Sequence, residues 1–298
     1  MNNKLLATVG AAAFALTMSA TVSHATMIAQ PGELMGLAFG APLPEGVYAV
    51  DLEDYGRADT SNAPGATNTG VNIPAIAWST PWTFGGTRLE FLYAAPFIHR
   101  DGAVNRVDYY SQLFGPILAH DFGNGFGASL LLGVRTPDSA FHDYTAADIR
   151  AALSYTAGGW DITGTFYYNG TFGGRQGGAF AGTTLLGASD AVDVDFTATK
   201  KFDKFEFGLV GFAYTDVNTR GDNSLTFANG TVISARKGAV ALGGLIGYDF
   251  GRFTVQGMVT RQIAERNLGT YETRGWLRLI VPLYTAPAPS VNPVIARY

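Results

Sequence analysis

Cysteine is absent from this 298-residue chain, and histidine occurs only four times. No disulfide can brace the fold and no thiolate can bind a metal or attack a substrate, so the chain must hold together by packing and backbone pairing. Long apolar runs are missing too. Nothing after residue 25 approaches the roughly 18 consecutive apolar residues of a membrane-spanning helix. Charge is scarce, with Asp, Glu, Lys and Arg at 15%; soluble domains carry roughly 25%. A water-soluble sandwich would want more surface charge. The 20 basic and 24 acidic residues leave a net charge of −4, which excludes a basic footprint for nucleic acid.

What the chain does have is glycine, aromatics and a rhythm. After about residue 45, short β-type runs alternate with connections that are tight, then long, then tight again. The tight ones carry aromatics at both ends: Phe122 and Phe126 flank Gly123-Asn124-Gly125, Phe202 and Phe205 flank Asp203-Lys204, and Phe250 and Phe253 flank Gly251-Arg252. The long ones, at 56–70, 135–147, 170–189, 218–237 and 263–271, are polar and often glycine-rich, and 100–106 is a shorter member of the same set. A barrel crossing an outer membrane needs this asymmetry, with short turns on the periplasmic side and longer loops outside. Trp82, Phe84, Trp160 and Tyr248 join the aromatics at the short-turn ends and form an interfacial girdle.

Lys4, the apolar run 5–18 and the small residues around Ser23-His24-Ala25 read as a secretory signal at 1–25, leaving a mature chain from Thr26. Period-two alternation then marks the wall. In 191–201, Val192, Val194, Phe196 and Ala198 oppose Asp193, Asp195, Thr197 and Thr199, and in 148–157 Ile149, Ala151 and Leu153 oppose Arg150, Ala152 and Ser154. Strands are expected at 47–55, 71–82, 87–99, 107–120, 125–134, 148–157, 160–169, 191–201, 205–216, 238–248, 253–260 and 272–284. The expected fold is therefore all-β: a transmembrane antiparallel up-and-down β-barrel of about 12 strands over 47–284. An even count puts both termini in the periplasm of a Gram-negative cell. The segment 26–46 is apolar enough to be a plug, or to pack under the turns, and the Pro-rich tail 285–298 either tucks inside or stays loose.

Charges on the lumen face are tolerated only where they meet water or a partner. By alternation these are Asp51, Glu53, Arg88, Glu90, Arg150, Asp161, Asp193, Asp195, Arg274 and Arg278, either a structural network or a lining that binds substrate. Pro74 and Pro96 each remove a ladder donor at similar heights on adjacent strands. They mark either a lateral opening for an apolar ligand or a pair of bulges.

Catalytic candidates are few. His99, His120 and His142 remain after the signal, no Gly-x-Ser-x-Gly elbow occurs, and neither Ser111 with His120 nor Ser139 with His142 has triad spacing. No catalytic residue, metal site or cofactor is expected.

The run Leu43-Pro44-Glu45-Gly46-Val47-Tyr48 leads into a strand ending Asp54-Tyr55. A polar loop and Asn72-Ile73-Pro74-Ala75 follow, then 91–98 with Pro96. This order resembles the family of phenol meta-pathway degradation-like outer-membrane proteins, over nearly the whole mature chain. The resemblance implies an outer-membrane barrel distantly similar to long-chain fatty-acid channels, associated with uptake of hydrophobic or aromatic compounds or with sphingosine response. It implies no enzyme and carries no catalytic residues. The expected function is an outer-membrane channel or binding protein for small hydrophobic, aromatic or long-chain organic compounds, with membrane lipid and a small apolar ligand as partners. The alternatives are a structural or surface-adhesion barrel without an open pore, and a lipid-modifying barrel enzyme.

Overall fold

A computed structural model describes residues 27–62, 66–102, 105–138, 145–172, 189–219, 224–226, 232–234 and 236–287. The expected signal sequence, Ser139 with His142, and the tail from 288 lie outside the described residues. The chain forms β1 (Gly46–Ala58), β2 (Thr67–Phe84), β3 (Thr87–Ala94), β4 (Phe97–Gly102), β5 (Arg106–Tyr109), β6 (Leu113–Gly123), β7 (Phe126–Arg135) and β8 (Ala146–Tyr155). There follow β9 (Trp160–Thr171), β10 (Ser189–Phe202), β11 (Phe205–Thr219), the short pair β12 (Ser224–Thr226) and β13 (Val232–Ser234), then β14 (Gly238–Asp249), β15 (Thr254–Arg266) and β16 (Glu272–Thr285).

Every wall pairing is antiparallel, and β1 pairs with β16 on one side and β2 on the other, so the sheet closes on itself. Its fourteen strands make a barrel of twelve staves, because β3 with β4, and β5 with β6, are each one stave in two pieces. The expected runs 87–99 and 107–120 are therefore single staves, broken at Ala95-Pro96 and at 110–112. Between them, two residues on one stave face three on the other, a local excess that proline and polar side chains accommodate.

Period two governs exposure along most staves. On β10, Asp193, Asp195, Thr197 and Thr199 are buried, while Val194 and Phe196 are exposed. On β16, Glu272, Arg274, Trp276 and Arg278 are buried, while Leu277 and Leu279 are exposed. The inside is polar and the outside apolar, the reverse of a soluble protein and the pattern a lipid-facing barrel requires. Tight turns close one end. At Gly85-Gly86 both residues have positive φ, 57° and 84°, which a two-residue turn matched to strand twist demands and a side chain would oppose. Exposed Phe84, Phe122, Phe126, Phe202 and Phe250 ring that end, with Phe205 against Tyr248 at 4.7 Å and Phe250 against Phe253 at 4.7 Å.

The lumen is occupied by the segment that precedes β1. Met27, Ala29, Leu34 and Met35 belong to one apolar cluster with the wall residues Leu52, Ile73, Val210, Phe212 and Trp276. The segment before β1 thus runs inside the barrel. It is coiled through successive turns, such as Glu33 N–H to Gln30 and Leu37 N–H to Leu34. Gly36 shows why it is glycine-rich: its φ is +76°, and a Cβ there would stand 2.5 Å from Leu245.

Candidate functional site

Many inward polar side chains pair with backbone groups of the internal segment. A segment without regular structure carries unpaired N–H and C=O groups, and burying them demands partners. The wall supplies them. Ala29 N–H donates to Asn169 at 3.0 Å, Gly32 and Leu34 N–H to the two oxygens of Asp195 at 2.9 and 2.8 Å, and Gly36 N–H to Thr197 at 2.7 Å. Nearer the short turns, Gly40 N–H donates to Ser154 at 2.9 Å and Leu43 N–H to Glu90 at 2.8 Å.

The carbonyls are met by donors from β7, β15 and β16. Arg278 donates to Met35 O, and at 2.7 Å to Glu33 O; Gln256 donates to Gly36 O at 2.8 Å and the Ser129 hydroxyl to Phe39 O at 2.6 Å. Arg278 is fully buried. Its guanidinium fork suits a pair of carbonyls, because its five donors lie in one plane.

Charge is balanced in clusters. Glu33, from the internal segment, lies 2.5 Å from Arg150 and 3.4 Å from Arg135, and Asp148 bonds both arginines at 2.7 Å. Two carboxylates and two guanidiniums make a neutral buried quartet, capped by the Tyr167 ring 4.6 Å from the Arg150 guanidinium carbon. Toward the long-loop end, Arg274 bonds Asp54, and Glu272 at 2.8 Å. Asp193 is different: it is buried, flanked in register by Tyr167 and Tyr214, and lies beside the Asp195 carboxylate rather than beside a cation.

Of the ten charges that alternation assigns to the lumen, eight side chains point inward. Arg150, Asp195 and Arg278 join the internal segment directly, as does Glu90. Arg274 holds Asp54 and Glu272 instead, Arg88 donates to Thr80 O at 2.6 Å, and Asp161 accepts from the Thr163 hydroxyl at 2.6 Å. Asp51 and Glu53 require correction, because both stand on the outer surface. Asp51 faces Leu279 and Pro74 in register, and Glu53 faces Leu277 and Asn72. The reason lies in β1 itself, whose acids fall on both faces: Leu52 packs inward against Ile73, and with it Asp54, not Asp51 or Glu53, enters the lumen.

Glu33, Arg135, Asp148, Gln256 and Glu272 were missed. Asp148 shares parity with Arg150 and Glu272 with Arg274, so alternation could have found both; Glu33 carries no periodic signal at all.

Pro74 and Pro96 leave the wall in register. Ala75 faces Ala94 and Asn72 faces Phe97 with one constant offset, while Ala95 N–H reaches Pro74 O at 3.0 Å and Tyr110 N–H reaches Pro96 O at 2.9 Å. Neither proline sits in a bulge of the β2 seam, and each removes one ladder bond, on different seams. The backbone is closed between them in this structure.

Ser111 is buried with its hydroxyl on Thr136 O at 2.6 Å, whereas His120 faces the other way and shares a 2.9 Å bond with Thr87, so the two do not meet. Among the described residues no group of three or more His, Cys, Asp or Glu side chains is arranged to hold a metal ion.

Residues 49–279 match the family model described as "Putative MetA-pathway of phenol degradation". The chain belongs to that family. Its fold is similar to the crystal structure of an outer membrane channel from Pseudomonas putida F1, with a TM-score of 0.64 at 14% identity, covering 85% of this chain and 99% of that one. Two other barrels overlay less well. The translocator domain of the autotransporter NalP from Neisseria meningitidis has a TM-score of 0.47 at 14% identity, covering 79% of this chain and 87% of that one. The toluene transporter TodX from Pseudomonas putida has a TM-score of 0.40 at 8% identity, covering 82% and 91%. No curated protein matches the chain. This family member is an outer-membrane β-barrel, and its apolar exterior faces lipid.

Proposed function

We propose that the protein is a plugged outer-membrane channel for small, largely apolar organic molecules, with binding and diffusion but no chemical turnover. The observation that carries this reading is the internal segment itself. Residues 27–43 are bonded by Asp195, Arg278 and other inward side chains, so these lumen charges act first as the seat of a plug. Substrate would meet Asp193, Arg88 and the rest of the inward set when that segment shifts. The short aromatic turns and both termini lie in the periplasm in this reading, and residues 1–25 are removed on export.

The wall between Pro74 and Pro96, closed here, is the place where a molecule would pass sideways into the membrane. The name of the Pseudomonas channel agrees with a channel's role, and the family's phenol-degradation description agrees with an aromatic cargo. One observation favours a second reading, a structural barrel with no open pore: the internal segment is tied to the wall by many hydrogen bonds. Uptake of a labelled aromatic hydrocarbon into proteoliposomes decides between them. Faster uptake with the protein than without it, and faster still when residues 27–43 are deleted, supports the channel; no effect in either case leaves the structural barrel.

A further inference from the structure

The outward turn of Asp51 sets up a feature of the membrane-facing wall that the lumen does not explain. A carboxylate on the lipid side of a barrel is costly, and an ionisable group placed in that band marks a functional site by default. Beside Asp51 the wall is hollow. A groove of about 260 Å³ opens there, floored by Ala49 and Pro74 and walled by Ile76, Tyr93 and Leu279. Sequence creates it: three small residues, Ala49, Pro74 and Ala95, come together on adjacent staves while the flanking positions carry large side chains.

The groove has one polar end. Asn72 Nδ2 donates to one Asp51 oxygen at 3.0 Å, which orients the carboxylate and leaves its second oxygen without a partner among the described residues. Pro74 has no N–H to return to the Ala95 carbonyl, so the groove presents a second acceptor beside the Asp51 carboxylate. An occupant that satisfies this surface has an apolar body and a head that donates. The volume falls below the roughly 300–1,000 Å³ of pockets that take drug-sized ligands, so the body is small.

We infer that this groove is a membrane-facing binding site for a small apolar molecule ending in a hydroxyl, whose body lies on Ala49, Pro74, Ile76 and Tyr93 and whose hydroxyl donates to Asp51. The inference rests on the channel reading only for where the molecule comes from. Charge-neutral lipid chains fit the body of the groove but leave the carboxylate unmet.

The test is photolabelling of the full barrel in lipid nanodiscs with an eight-carbon alcohol bearing a diazirine, against the same chain without the hydroxyl, the labelled positions being mapped by mass spectrometry. The alcohol is expected to label peptides containing Ile76 and Tyr93. Asp51→Leu should reduce that labelling roughly tenfold, as expected for one lost hydrogen bond to a charged group, while leaving the alkane unchanged. Ala49→Phe fills the groove and should remove labelling by both probes. Heat-modifiable migration on gels confirms that each variant is folded.

Equal labelling by the two probes, or no response to Asp51→Leu in a folded barrel, overturns the site. So does a protected Tyr93 in a barrel that native mass spectrometry shows to be a dimer, since a second copy would then be the occupant. Liposome uptake separates the two ideas: lost labelling with uptake intact sinks the groove alone, and lost uptake with labelling intact sinks the channel alone.

Discussion

Asp195 is the residue through which the plug is most directly tested. Its two oxygens accept from Gly32 N–H at 2.9 Å and Leu34 N–H at 2.8 Å, and the Tyr167 hydroxyl adds a third bond at 2.6 Å. Hydrogen bonds to a charged group are worth about 1.5–3 kcal/mol each. Asp195→Ala removes both bonds to the segment, about 3–6 kcal/mol. Water can enter the space left behind, so the lower end applies. About 3 kcal/mol shifts the seated-to-displaced equilibrium by more than roughly a hundredfold.

Because the chain has no cysteine, Leu34→Cys gives a single reporter at a position that is buried in the seated plug. Maleimide labelling of Leu34→Cys in proteoliposomes should accelerate by about that factor when Asp195→Ala is added. Asp195→Asn, which keeps one acceptor oxygen, should fall between. The barrel itself should persist, because its wall is a closed ladder that Asp195 does not complete. Labelling rates that agree within threefold, in a barrel shown to be folded, would refute the argument that these bonds seat the segment.

Three further outcomes follow from the same geometry. Arg150→Met strips the buried quartet of one cation and should cost about 3–5 kcal/mol, lowering the temperature at which the barrel loses heat-modifiable migration; adding Glu33→Gln should recover part of that loss. Gly36→Ala must place a Cβ 2.5 Å from Leu245 at a φ of +76°. About 1–2 kcal/mol of backbone strain alone should displace the plug and speed Leu34→Cys labelling without changing barrel stability. Phe196→Arg puts a cation on the lipid face and should destabilise the barrel by roughly 2–4 kcal/mol if that position lies near the bilayer midplane, read by urea titration of folding into lipid vesicles. Equal stability of that variant and the native chain would contradict the assignment of the outer surface.

The barrel was readable because its rules are local. Phe202-Asp203-Lys204-Phe205 announces a tight turn from four adjacent residues, and 191–201 separates its two faces by simple alternation. The candidate site was readable only in part. Asp193, Asp195 and Arg278 follow from parity, but β1 offers Asp51 and Glu53 on one face and Asp54 on the other, so polarity alone does not choose the inside. Packing chose it, through Leu52 against Ile73. The reading of Pro74 and Pro96 as a breach met a similar limit. A missing N–H weakens one bond, and whether a seam opens depends on the register of the strands beside it, which stays constant here.

By itself, then, the sequence determined twelve staves, their tight aromatic turns and an apolar exterior, because each depends on neighbours in the chain and on a period of two. Tertiary structure decided where residues 27–43 lie, which charges pair and which face of β1 meets lipid. Those outcomes depend on closure, which brings Glu33 to Arg150 and Arg278 to Met35, partners too far apart in sequence for any local pattern to join. Unpaired backbone groups inside a barrel must find donors and acceptors wherever the wall provides them, and only the closed wall fixes which ones are within reach.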